Sequence, residues 1–218
     1  MICGTDEAGR GPVLGPLVVA GVMFDEEKKL NNLSVKDSKK LTPRKRESLS
    51  RAIRENSAVY EILVIPARDI DDMRKVMTLN EIEVNAFVKV IKKLKPRICY
   101  VDSADVNEER FGKNISSGLN FKAKIISRHK ADDIYPVVSA ASILAKTRRD
   151  YEIRIISNEL EKKINLPLGS GYPADPITRN FLISWLKEYG KLPPYTRHSW
   201  KTAQNLLMDK NIKKLDDY

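Results

Sequence analysis

Ile2-Cys3-Gly4-Thr5-Asp6-Glu7-Ala8-Gly9-Arg10-Gly11-Pro12 carries a short apolar run, two adjacent acids and a glycine-rich turn. The run from Ile2 to Asp6 reads as a strand that ends at its acid. Gly9 to Pro12 reads as the turn that follows. Leu17 to Phe24 is then a second strand, apolar almost throughout and therefore covered on both faces. This order excludes a dinucleotide-binding start. Such a fingerprint needs a third glycine where Leu14 stands, and a helix where a second strand follows.

Working outward, Asp25 to Leu41 is a polar, lysine-rich connection. Thr42-Pro43 supplies a capping hydroxyl and a proline at the first helical position, so a helix runs from there to about Asn56. Val59 to Ile65 is a third strand. Thr78 to Glu81 fits a capping box, and Leu79, Ile82, Ala86, Val90 and Leu94 repeat at helical spacing until Pro96. Ile98 to Val101 is a fourth strand ended by Asp102, and Phe121 to Ser127 a fifth. Val137 to about Lys163 reads as one long helix or two. A loop from Gly169 to Pro176 leads to a helix from Thr178 to Tyr189 and a last short one around Thr202 to Met208. Three closely joined strands and two separated by helices make an α/β fold with a mixed sheet.

The chain has 218 residues, 39 Lys+Arg against 29 Asp+Glu and 2 His, a formal charge of +10. That length can bury a core without disulfide or metal staples. No run approaches the roughly 18–20 apolar residues of a membrane span, so no membrane partner is expected. With no leader at the start and two cysteines, the chain is expected in a reducing, cytoplasmic setting. The positive balance points to a polyanionic partner, nucleic acid first. No phosphate loop and no Cys-x-x-Cys occur, and His129 and His198 are too few and too far apart for a typical zinc site.

The remaining chemistry is acidic. Asp6 and Asp102 each end a strand, at the sheet edge where α/β proteins bind ligands. Glu7 can join Asp6 only where the strand breaks into the turn. Asp132 or Asp133 precedes the long helix. Singly, each acid is what a cap or a solvated loop charge looks like. Clustered, they would repel and hold protons unless cations neutralised them. Oxygen-only ligands favour Mg²⁺ or Mn²⁺. With a basic surface, that suggests phosphodiester chemistry with two metal ions about 3.5–4 Å apart.

Gly4 to Pro12 with Gly15-Pro16, Asp37-Ser38-Lys39-Lys40-Leu41, Val101-Asp102-Ser103, Lys130-Ala131-Asp132 with Tyr135-Pro136, Ser139 to Lys146 with Arg149-Asp150, and Gly169-Ser170-Gly171-Tyr172-Pro173 with Asp175-Pro176 together resemble the type 2 ribonucleases H, in family order and over nearly the whole chain. Arg197-His198-Ser199-Trp200 looks like the archaeal and eukaryotic branch. The resemblance implies a ribonuclease H-like fold: a catalytic domain over residues 1–165, with a C-terminal helical extension, 166–218, packed on it. It implies an endonuclease that cuts the RNA strand of RNA/DNA hybrids and cuts 5′ of single ribonucleotides in duplex DNA, as in ribonucleotide excision repair, leaving 3′-hydroxyl and 5′-phosphate ends. Asp6, Glu7, Asp102 and Asp132 would be the catalytic, metal-binding acids, Asp132 rather than Asp133 because the motif places the acid directly after Lys-Ala. Gly9, Arg10 and Gly11 would read the 2′-hydroxyl, and Tyr172 would help select the RNA–DNA junction. Lys39, Ser142, Lys146 and Arg197 would contact phosphate or hydroxyl groups.

A compact chain of this size fits a self-sufficient monomer. Gln204 and Leu207 start like a sliding-clamp motif, but Lys210 and Asn211 stand where its aromatic pair belongs. Another two-metal nuclease on the same fold would lack the Gly-Arg-Gly turn, and a catalytically dead binding module would show no metal-dependent cleavage. Cys3 and Cys99 each lie three residues before a key aspartate. If their strands are neighbours, the sulfurs sit level, as two buried thiols or, less expectedly, a disulfide.

Overall fold

The structure, a computed structural model, describes residues 1–25, 29–30, 32–33, 35 and 42–215. The block at 37–41, with Lys39, lies outside the described residues. The strands β1 (Ile2–Ala8), β2 (Leu17–Phe24), β3 (Val59–Ile65), β4 (Ile98–Asp102) and β5 (Lys124–Arg128) form one sheet in the order β3-β2-β1-β4-β5. β1 runs antiparallel to β2 and parallel to β4, and β4 is parallel to β5. The mixed sheet expected from the spacing is therefore present. All eight positions of β2 are buried, as its unbroken apolar run requires.

The chain folds as two compact units that interleave in sequence. The first takes residues 1–8, 18–64 and 77–148. Its helices include α1 (Pro43–Asn56), where Thr42 accepts from the Lys45 amide. α2 (Ala67–Met73) belongs to the second unit. α3 (Leu79–Leu94) has both halves of its capping box, Thr78 with Glu81, and stops at Lys95 before Pro96. Then come α4 (Glu108–Gly118), the short α5 (Ala131–Ile134) and α6 (Pro136–Ile164), a single long helix.

Alternation along β1 decides which helix meets which residue. Gly4 faces α6, and a Cβ there would lie 2.4 Å from the Val137 carbonyl carbon. Asp6, two residues on, shares that face. Ala140, Ala141 and Ala145 keep this part of α6 slim, and they pack with Val18, Ala20, Val22 and Phe24 of β2. On the opposite face Gly21 admits Val90 and Leu94 of α3. Cys3 and Cys99 are paired across β1 and β4 as two buried free thiols, sulfurs 3.3 Å apart.

The second unit takes residues 9–17, 65–76 and 149–218. Its core joins Val13, Leu14, Ile156, Leu160, Phe181, Leu182 and Trp185. α2, the end of α6, α7 (Pro176–Tyr189) and α8 (Lys201–Leu215) build it. α7 starts two residues ahead of the Thr178 expected from the sequence, because Asp175 caps it and Pro176 takes the first helical position. α8 runs past Met208, and β5 begins at Lys124 rather than Phe121. The helices α2 and α4 were not expected.

Gly4→Ala pushes a methyl into backbone rather than into a flexible side-chain tip. It is expected to cost about 1–3 kcal/mol or more, read as a lowered urea midpoint at unchanged slope.

Candidate active site

The parallel register Thr5↔Val101 brings the next pair, Asp6 and Asp102, level. Asp102 is the last residue of β4, and Asp6 lies two residues before the end of β1, which continues through Glu7 to Ala8 instead of ending at the acid. Asp132 arrives from the first turn of α5. One carboxylate oxygen from each of Asp6, Asp102 and Asp132 lies within 4.8 Å of the others. Asp133 is exposed and outside this group, so Asp132 is the acid that converges. α5 has no capping side chain of its own, its N-cap being Lys130 in the left-handed region. Asp102 supplies the missing acceptor and takes a 2.9 Å bond from the Ala131 amide. That bond ties the end of β4 to the residue preceding Asp132.

Asp6 is 4% exposed. Burial, then Glu7, then Asp102 hold its carboxyl well above the usual carboxylate range, and Ser142 and Lys146 of α6 counter this only in part. Glu7 is half-buried, and its amide donates to Asp6 Oδ1 at 2.7 Å. It acts on Asp6 electrostatically but lies outside the converging trio. The donors are all oxygens, and a buried acid is crowded by other acids. A hard divalent cation would relieve that repulsion and suit those ligands. The residues present therefore fit Mg²⁺ or Mn²⁺.

Ser142, expected to touch substrate, is fully buried beside Asp6. Lys146 is half-buried one helical turn on.

In the second unit Gly9 has φ +89°, which a side chain strains to adopt, and a Cβ there would lie 2.5 Å from the Pro16 carbonyl. Arg197, expected to contact phosphate or hydroxyl groups, is 0% exposed, and its guanidinium is spent on main-chain carbonyls. Its Nη2 donates to Gly9 O (2.6 Å), Nη1 to Arg10 O (3.1 Å) and Nε to Gly15 O (2.9 Å). Trp200 Nε1 donates to Gly11 O at 3.3 Å.

Tyr172 is 41% exposed, with the Arg149 guanidinium 5.0 Å from its ring centre. Arg149 is itself buried and donates to Ser170 O. It shares a helix face with Ser142 and Lys146, a spacing that could have flagged it. Asp175 Oδ2 holds the Tyr172 loop by accepting from the Ser170 amide and hydroxyl, both at 2.7 Å, and Thr178 Oγ1 accepts from the Gly171 amide.

A family model described as Ribonuclease HII matches residues 3–203. A curated Ribonuclease HII of Methanosarcina mazei is 49% identical over 216 residues, covering 94% of this chain and 96% of its own. The crystal structure of the ribonuclease H2 from Pyrococcus horikoshii OT3 is similar with a TM-score of 0.88 and 41% identity, covering 96% of this chain and 98% of that one. The structure of the PCNA:RNase HII complex from Archaeoglobus fulgidus gives a TM-score of 0.85 and 42% identity, over 94% and 96%.

The Tyr172 loop has a pH signature. The Ser170 donors lower the Asp175 pKa to about 2, against about 3.9 unfolded. Its stabilisation is complete above the unfolded value and is lost as pH falls towards the folded one. Urea unfolding of wild type and Asp175→Asn is expected to show a gap at pH 6 that narrows by pH 2.5.

Proposed function

Because the chain belongs to the ribonuclease HII family, we propose that it incises duplex DNA 5′ of single embedded ribonucleotides, leaving 3′-hydroxyl and 5′-phosphate ends. Membership makes it an endoribonuclease acting on RNA/DNA hybrids. The observation that carries the finer reading is the convergence of Asp6, Asp102 and Asp132 within 4.8 Å. These three, with Glu7 beside Asp6, would hold two divalent ions, Mg²⁺ or Mn²⁺. Bound there, such a pair supplies Lewis-acid activation of water and charge stabilisation on the leaving 3′-oxygen. The carboxylates' own work is to fix that charge in place, with Asp102 held by the Ala131 amide and Asp6 by its burial in the sheet. Ser142 and Lys146 trim the repulsion around Asp6. Lys146, and Lys39 on sequence grounds alone, are proposed to contact phosphate.

Selection of ribose needs a reader of the 2′-hydroxyl. The Gly9-Arg10-Gly11 backbone can approach a sugar closely for want of side chains at its glycines. The exposed Tyr172 ring offers a stacking surface and a hydroxyl. The formal +10 supplies sequence-independent attraction to phosphate. Residues 1–165 are proposed as the catalytic domain and 166–218 as its extension.

The Archaeoglobus relative assembled with PCNA supports a sliding-clamp contact here, with α8 and its Gln204 the proposed segment. No described helix is long and apolar enough to cross a membrane. We take the protein to act as a cytoplasmic monomer in ribonucleotide repair.

A strand-resolved assay on a duplex with one ribonucleotide tests the reading: metal-dependent incision 5′ of it, and none on all-DNA duplex, is expected. Binding without metal-dependent cleavage would instead identify a dead binding module. Asp102→Asn should reduce turnover about a thousandfold, the ~4 kcal/mol of lost charge stabilisation, while circular dichroism and hybrid binding stay near wild type. Unchanged turnover contradicts the assignment.

A further inference from the structure

The guanidinium of Arg197 has no carboxylate partner in hydrogen-bond contact among the described residues. Each of its nitrogens instead donates to a backbone carbonyl of the segment Gly9–Gly15. Burial first, and the nearby Arg149 second, lower its pKa to about 9, so it is still charged at neutral pH. Its face lies 4.7 Å from the centre of the Trp200 ring, a cation–π contact that offsets part of the desolvation. Trp200 adds its own donor to Gly11 O. All three carbonyls of the Gly-Arg-Gly turn are therefore gripped from one side.

A trans peptide points its N–H opposite to its C=O, and the described chain has no cis bonds. Gripping Gly9 O thus aims the Arg10 N–H away from Arg197, and gripping Arg10 O does the same for the Gly11 N–H. We propose that Arg197, seconded by Trp200, is a positioning residue for substrate selection, fixing the turn so that it offers two amide donors to a nucleotide 2′-oxygen. The inference rests on the reading that this turn selects ribonucleotides. Arginine suits the task because its planar fork meets several carbonyls at once and stacks on an aromatic ring, where lysine offers one point charge.

A role confined to holding the fold would lower activity on all substrates alike. A positioning role changes the discrimination between 2′ groups. The test uses the full chain as wild type, Arg197→Lys, Arg197→Gln and Trp200→Phe, each checked by circular dichroism and Tm. The substrates are duplexes identical except for 2′-hydroxyl, 2′-fluoro or 2′-hydrogen at one nucleotide, at fixed metal concentration. In wild type the 2′-hydroxyl is strongly preferred. In Arg197→Lys and Arg197→Gln the hydroxyl-to-fluoro ratio of kcat/KM is expected to fall about tenfold or more, as for a misplaced donor, with a smaller fall in Trp200→Phe. A lowered Tm with an unchanged ratio overturns the inference. If neither Arg197 variant folds, an unchanged ratio in Trp200→Phe overturns it. Wild-type protein that leaves the ribonucleotide duplex intact overturns the incision reading and this inference with it. Wild-type incision with unchanged variant ratios overturns this inference alone.

Discussion

Two carboxylates are forced together by main-chain hydrogen bonding. The parallel pairing of β1 and β4, locked by Cys3↔Cys99 and Thr5↔Val101, leaves Asp6 and Asp102 no choice but to lie side by side. Neither acid gains from the other; Asp6 is buried against its neighbours, with its protonated form favoured. The sheet and its cover must therefore hold a locally unfavourable charge arrangement in place. They do so with apolar burial on both faces of β2 and with a helix brought unusually close. Gly4 and the alanines of α6 permit that approach, and α6 carries Ser142 and Lys146, which compensate part of the cost at Asp6. Strain of this kind is what an ion-binding centre looks like before its ions are considered.

The second unit solves a different problem by opposite means. There a positive charge is buried, and oriented carbonyls rather than acids stabilise it. Around Arg197 the backbone from Gly9 to Gly15 bends so that its oxygens converge. Around Asp175 the loop from Ser170 to Ile177 bends so that its donors converge. Each buried or half-buried charge organises a segment that has little regular structure of its own.

Where local signals are strong, the fold is legible in the sequence. The Thr78–Glu81 box, Pro96 beyond Leu94, and the acid ending β4 all sit in patterns only a few residues long, whereas β1 runs two residues past Asp6 to Ala8, held there by its pairing with β2. Elements without such signals are not legible there. α2 has Pro66 at its N-cap with no side-chain bond, so nothing announces its start. α4 carries Gly112, Ser116, Ser117 and Gly118, which read as loop; the glycines are there because Ser127 and Val88 pack where their side chains would be. The burial of Arg197 was beyond reach for another reason. Its acceptors lie up to 188 positions away, and an arginine bound to main-chain oxygens leaves no partner residue in the sequence to notice. Ser142 illustrates the converse, since the four-residue spacing to Lys146 placed both on one face of α6 without saying how deep that face lies.

Asp102 meets two demands with one side chain. Its oxygen is the external cap of α5, and α5 carries Asp132, so the placement of one acid depends on the presence of another. Truncation at this position would disturb both, and an alanine scan would overstate the worth of either. Asparagine separates the demands, because an amide oxygen can still cap α5 while the negative charge beside Asp6 and Asp132 is lost. With the catalytic role proposed for Asp102, a lineage released from the need to cut could drift to asparagine here and keep an intact fold, a mark by which inactive descendants could be told from working ones.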